Sequence, residues 1–158
     1  MTKSNLTLNI FSIIATVALT LTGCSGGGYR YSHYETIGHQ GWERTDTLYF
    51  TPVPVAHYGT YTEEVGLRTT SLYPFMQLTL IVCQEAKPSG FCRTDTINAR
   101  LTDDEGLVTG EGINHYQYLF PLPPVTLAAG DTLHVKVHHD MMRSPLVGVV
   151  NVGFSLKQ

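Results

Sequence analysis

The chain has 158 residues, with 10 Lys and Arg against 13 Asp and Glu and a formal charge of −3. The basic residues are scattered singly, which excludes a nucleic-acid binder, since that needs clustered Lys and Arg. The length suits one compact domain with its own core, and no internal repeat or domain-sized change of composition divides it.

The chain opens MTKSN and then runs apolar from Ile10 to Leu21 (IFSIIATVALTL). A dozen apolar residues fit the hydrophobic part of an export signal and fall short of the roughly 20 that span a bilayer. Ser12, Thr16 and Thr20 dilute the run, and no polar periodicity marks it as a buried helix. Leu21, Thr22, Gly23 and Cys24 follow, in an order that resembles a bacterial lipobox. Small side chains suit a peptidase cleft, and a thiol at the new amino terminus receives the lipid. The expectation is a cleaved signal peptide over 1–23, lipid attachment at Cys24 and a flexible Ser/Gly tether over 24–28. Ordinary secretory cleavage and an uncleaved anchor are the alternatives. Two or more acyl chains make such attachment stable, so a membrane partner is predicted without a transmembrane helix. The remaining 135 residues carry nine basic and 13 acidic side chains, a net −4.

From residue 29 the chain is rich in Tyr, Thr, Val and Leu, with turn residues at short intervals. This predicts strands at 29–35, 46–51, 60–69, 75–84, 91–101, 106–110, 116–119, 132–139 and 146–156. Gly, Pro and Asp clusters between them, Pro121–Pro124 among them, read as turns. In TLHVKVHHD the apolar side is Leu133, Val135 and Val137, and His134, Lys136 and His138 face the other way. Leu78, Leu80 and Val82 share a face, while the last strand can be read in two phases. Strands buried on one side imply an all-β, single β-sandwich of immunoglobulin-like or jelly-roll type over 29–158, with a closed barrel as the alternative.

Cys83 and Cys92 bracket a Pro-Ser-Gly turn, and export places them in an oxidising compartment, so a disulfide between them is expected. Seven histidines raise the question of metal. His134 and His138 sit with Lys136 between them and no carboxylate at ligand spacing, so they read as solvent-facing and no metal is predicted. Asp140 and Ser144 near histidines do not make a hydrolase triad without a nucleophile elbow. Asp103, Asp104 and Glu105 before Gly106 read as a turn. Trp42 reads as a core plug, and Tyr29, Tyr31 and Tyr34 crowd near the tether, where half-exposed rings could meet a partner. No catalytic group and no cofactor is predicted.

Three separated stretches together resemble the gliding-motility lipoprotein H (GldH) family of Bacteroidetes. They are GWERTDTLYF at 41–50, LRTTSLYPFMQLTLIV at 67–82 and HHDMMRSPLVGVVNVGFSLK at 138–157. Trp42, Arg68, Tyr73, Pro74, Arg143, Gly148 and Gly153 are the motif positions they supply. Asn151 stands where that family usually has an aspartate. Tyr73 before Pro74 dictates an extended entry to the next strand. Arg143 could clamp a carbonyl or carboxylate, and Gly148 and Gly153 suggest bulges or close backbone approach. The resemblance implies a noncatalytic lipoprotein of the outer membrane, facing the periplasm and contacting other envelope and gliding proteins of the type IX secretion apparatus. A carbohydrate- or peptide-binding lipoprotein module is the alternative.

Overall fold

The alternating stretches become nine strands in the computed structural model, which describes residues 29–158. The expected signal peptide, Cys24 and the tether lie outside the described residues. The strands are β1 (Tyr29–Thr36), β2 (Leu48–Tyr49), β3 (Val53–Pro54), β4 (Gly59–Thr70), β5 (Gln77–Lys87), β6 (Phe91–Arg100), β7 (His115–Leu127), β8 (Thr132–His139) and β9 (Val149–Lys157). They form two sheets, ordered β1-β9-β4-β7 and β2-β8-β5-β6, with β3 pairing further along β8. Every pairing is antiparallel. This is the expected all-β sandwich, and two separate sheets replace the barrel.

The core is what the alternation predicts. Leu133, Val135 and Val137 of β8, and Leu78, Leu80 and Val82 of β5, are buried against Val65, Leu67, Val152 and Phe154 of the other sheet. The Phe50 and Phe154 rings meet across the layers with centroids 6.0 Å apart. β9 takes one phase, with Val152, Phe154 and Leu156 inward.

Three strand expectations change. The segment 106–110 makes only an isolated bridge, Val108 to Thr102, because Asp103 Oδ1 accepts the N–H groups of Glu105 and Leu107 and wraps the chain into a turn. The 46–51 strand shrinks to Leu48–Tyr49, and Pro52 separates it from β3. Conversely, β7 runs straight through Pro121, Pro123 and Pro124 to Leu127. β4 is its strand neighbour, and its outer side carries the short Glu111–Gln117 bridge well before the prolines, so their missing N–H groups cost no ladder bond there, and Pro123-Pro124 fall at a bulge opposite Thr62.

The expected disulfide is also corrected: Cys83 and Cys92 are free. β5 and β6 pair Cys83 with Thr94 and Cys92 with Glu85, so the two cysteines sit diagonally rather than face to face.

One charged cluster enters the core near the edge strand β6. Arg93 bridges the sheets to Glu63 of β4 and holds Asp95 Oδ2 at 2.6 Å. The Glu63 carboxylate is fully buried, and burial pushes its pKa upward against the pull of Gln84 and Arg93. Inward charges on an edge strand discourage edge-to-edge association.

Candidate functional site

The residues of the three motif stretches separate into two groups. The first gathers at one end of the sandwich. Registers define that end: Thr36 of β1 faces Asn151 of β9, Thr70 of β4 faces His115 of β7, Gln77 of β5 faces Arg100 of β6, and Leu80 of β5 faces His139 of β8. Loops 37–47, 71–76, 101–114 and 140–148 therefore emerge together. The opposite end carries Tyr29 beside Lys157 and the start of β4.

Trp42 locks two of these loops, as the core plug it is expected to be. It is 1% exposed, exchanges backbone hydrogen bonds with Leu146 (3.0 and 2.8 Å) and donates its indole N–H to Asp46 O. His139 packs edge-on against the indole at 5.0 Å, and its Nε2 lies 3.2 Å from Trp42 O. Its Nδ1 accepts the Met141 N–H. Burial lowers the His139 pKa, so the ring is held neutral. Of the histidines on β8, His134 is exposed and His138 half-buried, while His139 lies on the core face.

The clamp imagined for Arg143 is made instead by Arg44. Its guanidinium donates to Asp140 Oδ1 at 2.8 Å, and its backbone N–H donates to Ser144 Oγ, whose hydroxyl donates to Glu43 Oε2. Asp140 and Ser144 thus tie loops together, and Arg143 stands exposed beside them. Gly148 (φ +91°) lies so close to the Leu72–Tyr73 backbone that any Cβ there would collide, and Thr70 N–H donates to its oxygen. Tyr73 and Phe75 meet edge-to-face at 5.6 Å, with Pro74 exposed between them. Leu101 N–H donates to Met76 O, which joins the 101–114 loop to the group.

The second group lies on the outer face of the four-stranded sheet. Tyr34, Gly153, Gly66 and Leu119 stand in one row across β1, β9, β4 and β7. With no Cβ on either glycine, the Tyr34 ring lies down on the sheet, and the Arg68 guanidinium stacks over it 4.1 Å from the centroid. Arg68 also donates to Gln117 Oε1. Gly153 is therefore a close-approach glycine, and a register shift between Arg68 and Thr69 supplies the bulge near Gly148. Tyr31 packs on Phe154 at 6.3 Å, so Tyr31 and Tyr34 are both engaged by the sheet rather than standing clear of it. Sequence reasoning missed Gly66 and Arg44. The phase of β4, which sets Gly66 beside Gly153, was the signal available for the first.

Among the described residues, no helix is long and apolar enough to cross a membrane, and no three His, Cys, Asp or Glu side chains stand where they could hold a metal ion.

Residues 29–156 match the family model described as GldH lipoprotein. The gliding motility lipoprotein GldH of Flavobacterium johnsoniae is 27% identical over 135 residues, which cover 81% of this chain and 84% of that one. Among solved structures, a family 35 carbohydrate binding module from Clostridium thermocellum aligns over 78% of each chain at 15% identity, with a TM-score of 0.45. Eiger TNF from S. frugiperda aligns over 68% of this chain and 64% of its own at 16% identity, with a TM-score of 0.34.

Proposed function

We propose a function from one premise: the chain belongs to the GldH lipoprotein family. The protein is exported, acylated at Cys24, and held by its lipid at the outer membrane with the sandwich facing the periplasm. There it acts without catalysis, as a component or accessory of the gliding motility and type IX secretion machinery. The lipid raises its local concentration beside its partners, and contact does the rest.

One observation carries the contact reading. The motif residues are spent on holding surface shape. Trp42, Tyr73 and Gly148 bind three loops into one end, the Leu101–Met76 hydrogen bond adds the fourth, and Arg68 and Gly153 flatten a tyrosine onto a sheet face. Rigid loops and a filled sheet face suit docking, because little side-chain freedom is lost on binding.

Metabolic labelling with a radioactive fatty acid tests the anchor. Label is expected in the wild-type chain and not in Cys24→Ala, which shifts from the outer-membrane fraction to the soluble one. Equal membrane partitioning of the two chains rejects the anchor. Loss of spreading or secretion in a deletion strain, restored by the wild type and not by Cys24→Ala, tests the machinery assignment.

A further inference from the structure

Of ten exposed large apolar or aromatic side chains among the described residues, seven stand on the four gathered loops. Those loops are 40 of 130 described residues, so an even spread would place about three there. Leu72, Met76, Leu107, Val108, Met142 and Val147 are among them, and Met142 is 97% exposed. The same loops carry seven carboxylates and two basic side chains, Arg44 and Arg143, a net −5, and Arg100 at the end of β6 pairs with Asp104, which leaves the surface about −4. The rest of the described chain is +1. Charge and apolar exposure are thus concentrated at one end.

We propose that this end is a docking surface for a protein that presents an apolar centre ringed by lysine and arginine. The inference rests on the anchored, contact-based reading above and names the surface and the chemistry of the partner. Between loops 71–76 and 101–114 lies a slot of about 120 Å3, lined by Tyr73, Phe75, Val108 and Tyr116. That is far below the several hundred Å3 of a small-molecule site and suits a single apolar side chain. Thr102 borders it with a buried hydroxyl that has no hydrogen-bond partner among the described residues. The tied loops hold the slot open before binding.

Other occupants fit less well. The chain enters the fold at Tyr29, at the opposite end. Residues 24–28 reach at most about 17 Å, whereas the 12-residue β4 alone spans about 40 Å, so the tether cannot fold back over the loops. By the same lengths the loops stand away from the bilayer that holds Cys24, and an acidic surface is repelled by anionic lipid. Two such ends repel each other, which opposes a symmetric pair through this face.

The test is photo-crosslinking of the full lipidated chain in native membranes, with p-benzoylphenylalanine replacing Met142, or replacing Tyr58 or Leu119 as comparison sites. The Met142 probe is expected to capture a protein, and the crosslinked peptide to carry Lys or Arg beside apolar residues. Its yield falls roughly tenfold when Asp46→Lys, Glu105→Lys and Glu111→Lys are combined, and similarly with Leu72→Glu, because both the charge and the apolar centre are removed. These side chains are exposed, and unchanged Trp42 emission confirms the fold. Capture of lipid alone, of a second copy alone, or of a protein at a yield indifferent to charge reversal overturns the proposal. Protein adducts from Tyr58 or Leu119 with none from Met142 sink the docking end and leave the contact reading standing. No protein adduct from any of the three sinks both.

Discussion

The Glu63–Arg93 bridge gives the sharpest quantitative expectation. Replacing Arg93 with Met keeps the volume and removes the cation paired with a fully buried carboxylate. Breaking a buried pair from one side costs about 3–5 kcal/mol. Arg93 itself is 20% exposed, and Asp95 stays at the rim, so about 2–4 kcal/mol is the better figure. The loss depends on pH. Burial already raises the Glu63 pKa, and without Arg93 the native state holds this carboxyl protonated. The unfolded carboxyl titrates near 4.3, so above that pH the native state binds one more proton than the unfolded state. Wild type shares this slope up to its own raised Glu63 pKa, so above that point the stability of Arg93→Met falls by up to about 1.4 kcal/mol per unit relative to wild type, until Glu63 ionises in the variant fold. Urea denaturation of the full chain in mild detergent from pH 5 to 8 measures it, with Trp42, the only tryptophan and 1% exposed, as fluorophore. Glu63→Leu combined with Arg93→Met is expected to recover most of the loss. A single variant that loses less than about 1 kcal/mol, with a pH profile parallel to wild type, refutes the reasoning.

Gly153→Ala forces its Cβ into the Tyr34 ring and is expected to cost about 1–2 kcal/mol, a penalty that disappears in a Tyr34→Ala background; a double-mutant cycle without coupling contradicts the stacked row. Trp42→Ala should cost about 3–5 kcal/mol and loosen loops 37–47 and 140–148 together, read by hydrogen exchange of the Trp42 and Leu146 amides. The depressed His139 pKa works in the opposite sense to Glu63. The unfolded imidazole takes a proton below about 6.5 that the buried ring refuses, so stability falls from pH 7 to 5, and His139→Gln flattens that limb in a denaturation series. The denatured, unreduced chain should titrate two thiols, Cys83 and Cys92, and a count of three would mean that Cys24 carries no thioether-linked lipid.

Strand periodicity made most of the fold legible. The two-residue alternations in β5 and β8 placed their inward residues correctly because each strand buries one side, and the punctuation around them was ordinary turn chemistry. β7 was cut short because proline reads as a break in any strand, and only the sheet order shows that this one lies at an edge, where proline is tolerated. The paired cysteines misled for a related reason. Their separation along the chain suits a hairpin, but a diagonal register is set by the turn between them and cannot be read from spacing. At the candidate site, Trp42 and Gly153 carried their roles in local sequence. Arg44 did not, since its partner Asp140 lies 96 residues away and only the shared end of the sandwich joins them.

The sheet that carries Tyr34 has an order with a temporal meaning. Its first two neighbours are β1 and β9, and β9 then stands between β1 and β4. Until the last of the described strands is available, β1 has no ladder partner and β4 has only β7. Half of the sandwich thus waits on residues 149–157, and pairings of such long sequence separation make folding slow. A polypeptide that cannot close its sheet early remains threadable, which suits the export proposed above, with assembly completed after passage.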